Sequence, residues 1–266
     1  MNGFKKLSKF RKLYYVRFFF RCCAFILSVL LRILAPEQFD IIGGLGFFKK
    51  FSVFHVMWLL WMADMLIQLL PARHYWPAGS QKFLEYAFHP VAAIGRGVAF
   101  VRFLRQSQRE VINVALVWIA LTLGIGTLYF TRLIDRAALL LISVAFYVCD
   151  VICVLFWCPF RVLFMKNRCC ATCRIFNWDH MMMFSPLVFV PGFFSWSLCL
   201  MSIVVLLVWE ISFNTHPERF WEGSNAALRC SGCTDLLCGG KLRANQANGG
   251  GAKAEENKFT KLEKST

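Results

Sequence analysis

Residues 111–131 form a run of 21 positions without a single charged side chain. A helix of that length extends about 31 Å, which matches the roughly 30 Å hydrocarbon core of a bilayer. A second apolar segment, residues 137–158, follows after a short connection carrying Arg132, Asp135 and Arg136. Two spans joined so tightly are antiparallel neighbours. This hairpin predicts an all-α fold, a polytopic integral membrane helical bundle. Composition agrees: the chain is 58% hydrophobic and 17% charged, against roughly 45–50% and 25% in a soluble domain.

Further segments bring the expectation to three to five spans. Residues 51–70 are long enough to cross but carry His55, Asp64 and Gln68, which reads as a weak span or a lipid-facing hairpin arm. Residues 181–213 are apolar, broken by Pro186 and Pro191-Gly192. One helix of 33 residues would reach about 50 Å, too long for the core. Residues 193–213 alone make one full span. Two full crossings need about 40 residues, so length predicts a single crossing with the tail on the face opposite residues 160–180. The rival is a re-entrant hairpin with both flanks on one face.

At the N-terminus, residues 4–34 read as a basic amphipathic helix. Arg17, Arg21, Ser28 and Arg32 share one face, and Phe19, Cys23, Ile26 and Leu30 the other. Its uninterrupted apolar core, residues 22–31, is only ten residues long. A helix lying in the headgroup layer is therefore expected. The organisation is then residues 1–50 as interfacial helix and linker, 51–213 as the transmembrane region, 214–244 as a cysteine-containing juxtamembrane segment, and 245–266 as a disordered charged tail.

Net charge is +15. Most of the basic residues flank apolar segments, so the partners expected are anionic lipid headgroups and not nucleic acid, for which no recognition motif is present. Placing residues 71–110 and 160–180 on the cytoplasmic face leaves only Arg132 and Arg136 outside. That arrangement needs residues 16–34 and 51–70 both to cross or both to stay inside.

Twelve cysteines is a high count. Cys22, Cys23, Cys149, Cys153, Cys158 and Cys199 fall in apolar segments and read as small hydrophobes. The other six form two groups: Cys169, Cys170 and Cys173, then Cys230, Cys233 and Cys238. Each group leaves a four-ligand site one short, and together they complete a zinc or iron–sulfur site. Arg161, Lys166, Arg168 and Arg174 surround the first group and would favour thiolates. Disulfides and ordinary or lipid-modified thiols are the alternatives. The segment Trp157-Cys158-Pro159-Phe160 resembles the cysteine-proline helix end of polyferredoxin-type electron-transfer proteins, which inclines the reading toward iron–sulfur.

Cys169-Cys170-Ala171-Thr172-Cys173-Arg174-Ile175-Phe176-Asn177-Trp178-Asp179, followed by His216-Pro217-Glu218-Arg219-Phe220 and Asn225, resembles a family of uncharacterised bacterial polytopic membrane proteins. The resemblance covers residues 155–240 and implies a bacterial cytoplasmic-membrane address. It carries no activity.

Asp150 lies in the middle of the second strong span, where an ionised carboxylate is costly. It is a candidate proton or cation site or a partner for an arginine, and the bland alternative is a protonated, hydrogen-bonded carboxyl. Asp64 with His55 repeats the theme. His180 with Met181, Met182 and Met183 offers soft ligands suited to copper(I), although successive methionines point apart on a helix and fit packing better. Trp118, Trp157, Trp178 and Trp209 fit an aromatic belt. No phosphate loop, GxSxG elbow, HExxH or dinucleotide fingerprint is present, and the sequence does not decide whether the chain is an enzyme. Two functional classes remain: a cysteine-ligated metal protein near the inner membrane surface serving electron transfer, and a metal-free small transporter or scaffold built on Asp150.

Overall fold

The computed structural model describes residues 8–71, 76–91, 97–167, 169–229 and 237. The described residues are helical, with only two isolated bridges, Gly44–Gly192 and Pro90–Asn225. The helices are α1 (Lys9–Leu34), α2 (Gly46–Lys49), α3 (Val53–Leu69), α4 (Ala78–Gln81), α5 (Val98–Phe130), α6 (Arg136–Leu155), α7 (Asp179–Phe184) and α8 (Phe193–Thr215). Of these α5, α6 and α8 are long and apolar enough to cross a membrane, and α3 is a shorter apolar helix.

Their starts follow local chemistry. Ser52 accepts from the Phe54 amide, and the Ser52 amide donates to His55 Nδ1, closing a reciprocal cap on α3. Asp135 caps α6 by accepting from the Ala138 amide. Gly192, after Pro191, precedes α8 as the break at 191–192 predicts. A β-carbon there would sit 2.5 Å from the Ile42 carbonyl oxygen, so the chains can meet this closely only at glycine.

α1 lies antiparallel along the full length of α6. Arg32 pairs with Asp135, Arg21 with Asp150, and the rings of Tyr15 and Phe18 pack edge-on against Phe156. α3 runs parallel to α8: Trp58 donates to Ser197 at 2.8 Å near their starts, and Gln68 borders Val205 and Trp209 toward their ends. Along α5, Phe100 and Phe103 meet Trp221, Trp118 donates to Ser185, and Phe130 meets Phe189. The bundle thus has two ends. One end holds residues 35–52, 131–135 and 190–192. The other, the cap end, holds residues 76–91, 156–178 and 216–229.

This arrangement corrects the length argument over residues 181–213. The chain returns from the cap end through α7 and the 3-10 turn Ser185–Phe189, and α8 carries it back. Residues 169–178 and 216–229 therefore share one end. The return leg is short because it is enclosed by α5, α6 and α8. Irregular backbone is tolerated at membrane depth where protein surrounds it, so twenty helical residues are not required.

The side chains of α1 are distributed inside out. Tyr14, Arg21 and Ser28 are buried against the protein, while Phe19 is 72% and Ile33 71% exposed. The face grouping is the one expected, but the polar stripe points inward. Leu116, Leu123, Leu200 and Ile211 on α5 and α8 are likewise exposed. Such an apolar exterior suits hydrocarbon and not water.

Candidate functional site

The bundle interior collects ionisable groups from α1, α3, α6 and α7. Arg21, 5% exposed, donates through Nη1 to the Tyr147 carbonyl at 2.8 Å and to Asp150 Oδ2, with its guanidinium carbon 3.9 Å from the Tyr147 ring centroid. Asp150 is thus an arginine partner, one of the roles its position admits. His180 is 1% exposed. Its Nε2 lies 3.4 Å from Asp64 Oδ2 and its Nδ1 3.2 Å from Asp179 Oδ1. The second contact is an ion pair within one turn of chain, and both of its atoms are buried. Arg21 also acts electrostatically on Asp64, joining the two halves of the cluster.

Asp64 does not pair with His55, which caps α3 and whose Nε2 lies 2.7 Å from the Phe47 carbonyl. Met181, Met182 and Met183 diverge: Met183 is in the main core, Met182 packs against Cys173 and its neighbours, and Met181 meets Ser202 at 3.9 Å. Packing explains all three. Trp118, Trp178 and Trp209 direct their indole N–H groups to Ser185, Glu210 and the Arg174 carbonyl. These three therefore serve interior contacts, and Trp157 is exposed.

The cap end is organised by Lys82, which is 0% exposed. Its amine donates to the carbonyls of Ala171 (2.9 Å) and Cys173 (2.7 Å) and faces the rings of Trp209 and Phe220. Burial pulls it down to about 7. Gly79 lets the chain approach the same loop, since a β-carbon would come within 2.5 Å of the Ala171 α-carbon. Arg174 forms a two-pronged pair with Glu210, one arm at 2.7 Å, and stacks 3.6 Å from the Phe213 ring centroid. Asn225 ties the terminal segment down: its oxygen accepts from the amides of His89 and Ala227, and its nitrogen donates to the carbonyls of Arg219 and Ala87.

Cys169, Cys170 and Cys173 are buried in this cap. Burial pushes Cys170 up to about 12 despite Arg161, and raises Cys173 despite Lys82. The expected thiolate stabilisation is therefore reversed at these two sites, because desolvation outweighs the adjacent cations. Among the described residues no three His, Cys, Asp or Glu side chains converge as a metal site. Cys230, Cys233 and Cys238 lie outside the described residues, as does Arg168.

Sequence reasoning missed one assembly: His180 meets Asp64 only through the return leg, and no local spacing signals it. Comparison with protein-family models, curated proteins and solved structures finds no match. The fold and its apolar surface define a membrane-type helical protein.

Proposed function

We propose that this chain is a small polytopic transporter of the bacterial cytoplasmic membrane, moving protons or a small cation through the cluster of Arg21, Asp64, Asp150, Asp179 and His180. The observation that carries this reading is His180, buried and enclosed between two carboxylates from separate elements. Buried intramembrane ionisable groups of this kind are costly and are retained where charge must move. In this reading α1 crosses alongside α6, because a helix paired along its whole length with a crossing helix shares its depth. The interfacial placement is then replaced by a span whose polar face is matched by Asp150 and Asp135. The cap end carries Arg102, Arg105, Arg109, Arg161 and Lys166, and this basic charge supports a cytoplasmic cap against anionic headgroups.

Purified protein in vesicles with an internal pH dye, under a potassium diffusion potential, tests this. Wild type is expected to move protons faster than protein-free vesicles. His180→Asn and Asp64→Asn are each expected to reduce that rate about tenfold or more, with folding retained. A wild-type rate equal to protein-free vesicles, or variants as fast as wild type, defeats the proposal.

A second reading, a zinc or iron–sulfur site using Cys169, Cys170, Cys173, Cys230, Cys233 and Cys238, is favoured by one observation. The first group and Arg229, which immediately precedes Cys230 in the sequence, lie at the same end of the bundle. Anaerobic purification followed by iron, sulfide and zinc analysis decides it, since metal below stoichiometric level removes the site.

A further inference from the structure

Granting the transporter reading, on which this rests, we infer that the species moved is the proton and not a metal cation. It reaches the cluster from the end opposite the cap, over buried water held by Trp61 and Ser143. Trp61 Nε1, Ser143 Oγ and Arg21 Nε are buried polar atoms without a hydrogen-bond partner among the described residues. Trp61 is 1% and Ser143 0% exposed. The three are not scattered. The Trp61 and Tyr147 rings meet edge-on with centroids 5.7 Å apart, and the Arg21 guanidinium carbon lies 3.9 Å from the Tyr147 ring centroid. Trp61 sits one helical turn before Asp64 on α3, and Ser143 one turn before Tyr147 on α6. Both helices start at the end opposite the cap, so both residues lie on that side of the acidic cluster.

The chemistry of these atoms selects their occupant. An indole N–H and a guanidinium Nε–H only donate, so neither can ligate a cation. Each needs an acceptor, because a buried donor left unmatched is costly. Ordered water is the usual partner where protein supplies none. Water accepts from Trp61 and donates onward, as a proton wire requires, and the Ser143 hydroxyl can do both. An anion would satisfy the same donors but is repelled by the neighbouring Asp64, Asp150 and Asp179 carboxylates.

The cluster itself also selects against a metal cation. Hard divalent cations take about six or more oxygen ligands. Here Asp150 faces Arg21, and Asp64 and Asp179 face the two ring nitrogens of His180. Every carboxylate is thus engaged by nitrogen. A proton needs no such shell, since it passes between oxygen, nitrogen and water along hydrogen bonds. The charged groups acting on His180 are Asp64, Asp179 and Asp150, and Arg21 acts in turn on Asp64 and Asp150. At the far end of the α1–α6 seam the Arg32–Asp135 pair forms a polar mouth.

Two measurements on full-length protein test this. In detergent with isotope-labelled indole nitrogens, transfer to heavy water should exchange the Trp61 N–H about tenfold or more faster than the Trp209 N–H. Trp209 is equally buried but donates to the Arg174 carbonyl. The spectrum of Trp61→Phe identifies the Trp61 signal. In vesicles, wild type should move protons and take up no more radioactive sodium than protein-free vesicles. Trp61→Phe, which keeps a ring and removes the N–H, should slow proton movement about fivefold, the weight of one lost hydrogen bond. Sodium uptake, with or without proton movement, overturns the inference and leaves the transporter reading standing. Movement of neither ion defeats both. A Trp61→Phe variant as fast as wild type overturns the inference even where protons move. So does a wild-type Trp61 N–H that exchanges as slowly as that of Trp209, a comparison that does not depend on any variant folding.

Discussion

Replacing Arg21 by Met is expected to lower the stability of the detergent-solubilised protein by about 3 kcal/mol. Breaking one side of a buried ion pair typically costs roughly 3–5 kcal/mol, because the other charge is left without compensation. The Asp150 side chain is 21% exposed, which sets this case at the lower end. The Tyr147 carbonyl also loses its donor. The double variant Arg21→Met/Asp150→Leu should recover most of the loss, since an apolar pair of similar volume removes both desolvation costs. Denaturant-dependent unfolding of the two variants measures the coupling. A single variant as stable as wild type, or a double variant no better than the single, would remove the pair from its structural role.

Lys82→Met is expected to cost about 2–4 kcal/mol, from two buried carbonyls losing their donor at roughly 1–3 kcal/mol each. The pH dependence identifies the cause. Folded Lys82 sits near 7 and unfolded lysine near 10.5. Between those values the unfolded chain holds a proton that the folded protein lacks, so the contribution of Lys82 to stability rises with pH. The stability difference between wild type and Lys82→Met should widen from pH 7 to pH 9 and be flat below 7. A difference that stays flat over that interval would show the amine to be a buried cation instead, protonated in both states. Thermal unfolding of both proteins across this range gives the sign directly.

The long apolar helices were legible because hydrocarbon thickness sets the length a span must have. Residues 193–213 became α8 (Phe193–Thr215), and residues 137–158 became α6 (Arg136–Leu155) with its end moved ahead of Pro159. Arg102, Arg105 and Arg109 lie in the first part of α5 (Val98–Phe130), ahead of its charge-free run from residue 111. The return leg was not legible, because protein around it relaxes the length rule. For α1 the periodicity identified the two faces, but periodicity is silent on which face meets solvent. That depended on Asp135 and Asp150, more than a hundred residues away.

The inward polar stripe of α1 has a consequence for biogenesis. With Arg21 unmatched, α1 is a poor candidate for stable insertion by itself, since a single arginine at a helix centre carries a penalty of about 2.5–3.5 kcal/mol or more. Its counter-charge is encoded in α6 and is synthesised much later. Arg21 therefore gains its partner only once α6 has been made, and the α1–α6 pairing closes after α3 and α5 have already been synthesised.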